Sequence, residues 1–67
     1  MKNSLSGHRR ARHLSQENLA KQVGVSRQTI ISIEKGRYAP SLALAFKLAR
    51  LFSTTIEGIF EWNETVE

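Results

Sequence analysis

The chain has 67 residues, no cysteine, two histidines and a net charge of +4. Disulfides and thiolate metal sites are excluded, two histidines do not make a zinc site, and no metal or cofactor is expected. The most apolar stretch, Leu42 to Phe52, is broken by Lys47 and Arg50 and is too short to span a bilayer. With no apolar leader behind Lys2, the reading is one soluble domain over 1–67 in a reducing cytoplasm, away from the membrane.

Taken in chain order, residues 4–12 predict a first helix, weakened by Gly7, which costs about 1 kcal/mol relative to alanine. Ser15 is an N-cap signal for a helix over 16–23, with Leu19, Ala20 and Val23 on one face. Gly24 ends it, because glycine enters the left-handed region without strain. Ser26 caps a helix over 27–35, with Ile30 and Ile33 inward, closed by Gly36. Two short helices this close cannot lie antiparallel; they cross steeply, as a helix-turn-helix corner over 15–36. Pro40 and Ser41 open a helix over 41–52, whose stripe Leu42, Ala45, Leu48, Ala49 and Phe52 has helical spacing. Thr55 caps a fifth helix over 55–60. No segment alternates with the period of two that a strand needs. The expected fold is all-α, a compact bundle of about five short helices.

Charge divides unevenly along the chain. Residues 1–37 carry eight basic side chains against two acidic ones, net +6, while residues 38–67 carry two against four, net −2. A basic half suits a polyanion, although a solvated charged face would look the same.

The stretch LSQENLAKQVGVSRQTIISIEKG, residues 14–36, resembles the helix-turn-helix of the Cro and phage-repressor type, the Xre-like regulators. Ala20 stands where a small residue lets two helices approach, and Gly24 stands in the turn. Ile30 and Ile33 take the inward places of the second helix, and the stretch Gly36 to Leu42 also matches. The likeness runs over roughly residues 5–60. It implies a lambda-repressor-like fold and a partner in double-stranded DNA.

In such a motif the second helix enters the major groove, and its N-terminal residues touch base edges. Its outward residues here are Arg27, Gln28, Thr29 and Ser32, along with Ile31. Arginine forks to guanine, glutamine to adenine, and a threonine methyl packs on thymine. The resemblance implies phosphate contacts from Gln16, Arg37 and Tyr38, with Lys35 beside them. Arg10 and Arg12 add only to the general field. Arg9 and Glu34 align with an arginine and a glutamate that form an internal ion pair in many relatives. His8 departs from the pattern where relatives carry a core leucine, and His13 where a glycine or other turn residue is common. Both are read as ordinary helix-face and helix-end histidines.

Leu44, Phe46, Leu51, Phe60 and Trp62 exceed what so small a monomer is expected to bury, and exposed apolar clusters mark contact surfaces. The resemblance implies a two-fold dimer through the last helices, with Leu44, Leu51, Phe60 and Trp62 at its interface. The expected function is a transcription regulator, a repressor that binds an inverted-repeat operator as a homodimer. The alternative is an antitoxin-like module with a protein partner, whose surface would be the acidic tail Glu61, Glu64 and Glu67 around Trp62. No catalytic residue is assigned: there is no His-Glu-x-x-His pattern, no phosphate-cradling glycine loop and little room for a catalytic pocket.

Overall fold

The structure is a computed structural model that describes residues 1–62. Among the described residues there are four α-helices: α1 Leu5–Ala11, α2 Gln16–Val23, α3 Arg27–Glu34 and α4 Leu42–Leu51. Serines start three of them. The hydroxyls of Ser15, Ser26 and Ser41 accept from the backbone N–H of Asn18, Thr29 and Leu44 at 3.0, 3.2 and 3.1 Å. Each bond satisfies a donor that the first turn leaves unpaired, worth about 1 kcal/mol.

The helix ends share one device. Gly24 and Gly36 are left-handed, with φ of 75° and 77°. After α3, Gly36 N–H donates to Ile33 O at 2.9 Å and Arg37 N–H to Ser32 O at 3.0 Å, the paired bonds of a Schellman turn. After α1 and α4 the left-handed place falls to His13 and Ser53, with φ of 58° and 53°. A side chain there is strained, so His13→Gly is expected to raise stability by about 1 kcal/mol in urea denaturation. Equal or lower stability would mean that the imidazole makes a compensating contact.

The core draws on every helix. Leu5, Leu19, Ile30, Ile33 and Leu48 are fully buried, joined by Ala20, Val23, Ala45, Ala49, Phe52 and Ile59. The tightest packing is α2 on α3, where Ala20 is 2% exposed at the corner. Leu5 is the one buried residue of α1, so polar ties hold the rest of that helix. His8 Nε2 lies 3.2 Å from the Gly58 carbonyl oxygen, and its ring tilts against Phe52 at 5.5 Å.

The structure corrects three expectations. Residues 55–60 form a turn, not a fifth helix. Ile59 N–H and Phe60 N–H both donate to Ile56 O, and then the chain extends. Asn3 and Phe60 form an antiparallel bridge, flanked by Ser4 N–H to Ile59 O at 2.8 Å and Glu61 N–H to Lys2 O at 2.9 Å. Six residues sustain a helix poorly, and pairing with the N-terminal segment gives these groups partners. The inward stripe of α4 holds at Ala45, Leu48, Ala49 and Phe52, all buried, and differs from the sequence reading only in its first turn. Leu44 faces the core, 7% exposed, and Leu42 faces out, 69% exposed. Leu44 and Phe60 therefore lie in the protomer's own core and Leu51 packs against it, so the exposed large apolar side chains near the C-terminal end are Leu42, Phe46 and Trp62. The helices of 4–12, 27–35 and 41–52 are each shorter by a residue or two, since Ser4, Arg12, Lys35, Ser41 and Phe52 are caps. Glu64 and Glu67 lie outside the described residues.

Candidate nucleic-acid interface

The corner of α2 and α3 places the N-terminus of α3 at the surface. Arg27 and Gln28 are exposed, and Thr29 and Ser32 are half-buried on the same side. The Ser26 and Thr29 hydroxyls share a hydrogen bond of 3.0 Å, so Thr29 offers its methyl more freely than its oxygen. The Schellman turn at Gly36 brings the chain back past this face. Gln28, Thr29 and Ser32 then line one open concavity of about 380 Å³ together with Ser26, Arg37 and Tyr38. Three residues assigned to bases and two assigned to phosphates thus share a single hollow. Arg27 and Lys35 stand exposed outside it.

Electrostatics favours an anion here. Arg27, Lys35 and Arg37 form no ion pair among the described residues. The two exposed pairs, Lys2 with Glu61 at 3.8 Å and Lys21 with Glu17 at 3.9 Å, add little, because water and salt screen them.

Behind the face sits a nearly buried polar hub. Arg9 Nε donates to Glu34 Oε2 at 2.7 Å and Arg9 Nη2 to Glu34 Oε1 at 3.3 Å, with the side chains 11% and 8% exposed. Arg9 Nη1 donates to Leu14 O at 3.0 Å, which ties in the link between α1 and α2. Gln16 is not free on the surface: its Nε2 donates to Glu34 Oε1 at 3.1 Å. Its amide keeps a second N–H and its oxygen for another partner. Sequence reasoning placed Arg9 and Glu34 together but missed the link from Gln16. It also missed Asn3, whose Nδ2 donates to Ile33 O at 2.8 Å, a contact across thirty positions with no local signal.

Among the described residues no three His, Asp or Glu side chains come together to hold a metal ion. No helix among them is long and apolar enough to cross a membrane.

The profile of a helix-turn-helix family matches residues 8–59. An HTH-type transcriptional regulator of Methanocaldococcus jannaschii is 58% identical over 64 residues, covering 96% of this chain and 97% of that one. The cryptic phage CTXphi transcriptional repressor RstR of Vibrio cholerae is 35% identical over 54 residues, covering 81% of this chain and 49% of the repressor. The crystal structure of the restriction-modification controller protein C.AhdI of Aeromonas hydrophila superposes with a TM-score of 0.74 at 34% identity, covering 84% of this chain and 85% of that one. With its capped corner, its basic outer face and these relatives, the chain belongs to the helix-turn-helix family of transcriptional regulators of the Cro and phage-repressor type.

Proposed function

We propose that the protein is a cytoplasmic repressor, one domain over 1–67, that reads an inverted-repeat operator as a homodimer. One observation carries the reading: Gln28, Thr29 and Ser32 share a hollow with Arg37 and Tyr38, beside Arg27 and Lys35, which form no ion pair among the described residues. Arg27 and Gln28 read base edges, with Thr29 and Ser32 adding methyl and hydroxyl contacts. Arg37, Tyr38, Lys35 and the free N–H of Gln16 hold phosphates, which set register without reading sequence. The likeness to RstR, a transcriptional repressor, and to C.AhdI, a controller protein, favours regulation by occupancy.

The second copy sits on the exposed apolar face. Leu42 and Phe46 are one helical turn apart on α4, and Trp62 is 64% exposed. Two hollows of about 330 and 630 Å³ flank this face and share Ile56 and Glu57. A two-fold dimer of this kind presents two α3 helices to half-sites about 34 Å apart.

The test is selection of genomic fragments by the purified protein at two salt concentrations, followed by sequencing, with Arg27→Ala alongside. The expected result is one inverted repeat that survives the higher salt. Arg27→Ala relaxes one position of it and weakens binding by about 1–3 kcal/mol. Binding that ignores sequence and vanishes with salt would leave only the basic surface and put a protein partner first.

A further inference from the structure

Residues 1–4 precede the segment 8–59 that the family profile covers, and yet they hold α3. Asn3 is half-buried, and its side chain serves three groups. Its Nδ2 donates to Ile33 O at 2.8 Å and to Met1 O at 3.1 Å, and its Oδ1 accepts from Leu5 N–H at 3.1 Å. Ile33 O is the carbonyl that also accepts from Gly36 N–H at 2.9 Å. The asparagine therefore grips the turn that ends α3. Its main chain meanwhile stands opposite Phe60, in the pairing that joins residues 2–4 to 59–61. The end of α3, the start of α1 and the C-terminal segment beside Trp62 meet at one residue.

Because Arg37 and Tyr38 leave the Gly36 turn directly, whatever fixes that turn fixes their direction. The other end of α3 carries Arg27 and Gln28. An eight-residue helix is about 12 Å long, so a tilt of about 5° at the gripped end moves the reading end by about 1 Å. Recognition groups need placement to about 0.5 Å. No atom of Asn3 needs to touch DNA for its loss to blur the reading.

We propose that Asn3 is a positioning residue for sequence recognition: its amide N–H fixes the C-terminal end of α3 against the segment 59–61, and with it the aim of the recognition face. The inference rests on the reading of α3 as the DNA-contacting helix.

Asn3→Asp separates the two halves of the side chain. It keeps an oxygen for Leu5 N–H and replaces the donor to Ile33 O by an acceptor. Asn3→Ala, which brings no carboxylate, runs beside it. Affinity is measured for the selected operator and for a scrambled duplex, with amide hydrogen exchange at Gly36 and Arg37. The expected result is an operator affinity about tenfold weaker, a scrambled-duplex affinity changed less than threefold, and exchange at both amides about tenfold faster. Equal losses on both duplexes would reduce Asn3 to a general stabiliser, and unchanged affinities in folded variants would remove it from recognition altogether. If the native protein itself does not separate operator from scrambled DNA, the DNA reading fails. Unchanged exchange at Gly36 and Arg37 would then overturn the grip on α3 as well.

Discussion

Replacing Arg9 by methionine is expected to lower the unfolding free energy by about 3–5 kcal/mol, because it strands a nearly buried carboxylate. Glu34 is 8% exposed, and its Oε2 depends on Arg9 Nε at 2.7 Å. Gln16 would remain on Oε1, but a neutral amide does not balance the charge. Leu14 O would lose Nη1 at the same time. Small domains hold roughly 5–15 kcal/mol in total, so the single change removes a large part of the whole. The double replacement Arg9→Met with Glu34→Leu leaves no charge to strand and is expected to recover most of the loss. Urea denaturation of both singles and the double, read as a cycle, isolates the pair. If Arg9→Met costs under 1 kcal/mol, water reaches Glu34 more freely than its burial implies. Operator binding is not expected to return with stability in the double variant, since Gln16 then has no carboxylate to hold it. Stability and aim would come apart in one protein.

The same contrast separates what could be read in the sequence from what could not. The caps at Ser15, Ser26 and Ser41 act within three residues of themselves, and the glycines at 24 and 36 act at their own φ. Local chemistry of that kind is written locally, so the corner of α2 and α3 and the outward set Arg27, Gln28, Thr29 and Ser32 were legible. Helix α4 was legible as a helix and in phase at Ala45, Leu48, Ala49 and Phe52, but not in its first turn. Within Leu42–Leu51 only Lys47 and Arg50 are polar, and the first turn has no polar residue to say which leucine faces in. Leu42 and Leu44 were therefore exchanged, and the interface was assigned partly to core residues. The turn at 55–60 was read as helix because its apolar spacing fits one. What decides it is pairing with residues 2–4, more than fifty positions away. The link from Gln16 to Glu34 and the grip of Asn3 on Ile33 are likewise long-range polar contacts, set by the packed fold and invisible to any window.

Phe46→Glu is expected to separate the proposed dimer while leaving the protomer folded. Phe46 is 50% exposed and stands outside the core, so its loss removes little from the protomer itself. In a two-fold contact every substitution counts twice. Covering the exposed half of a phenylalanine is worth about 1–1.5 kcal/mol, hence roughly 3 kcal/mol for the pair. Glutamate adds the cost of desolvating two carboxylates near Glu57 and Glu57 of the second copy. The dimer dissociation constant is expected to rise by at least on the order of a hundredfold. Sedimentation equilibrium reads that directly, and duplexes carrying one or two half-sites read its consequence. Affinity for a single half-site is expected to hold, because the face around Gln28 and Arg37 is untouched. Affinity for the full operator is expected to fall toward the single-site value, since two tethered reading helices become two independent ones. A native protein that sediments as a monomer at tens of micromolar, or a Phe46→Glu variant as dimeric as the native one, would remove the second copy from this surface. Leu42, Phe46 and Trp62 would then belong to a different protein, and the operator would be read one half-site at a time.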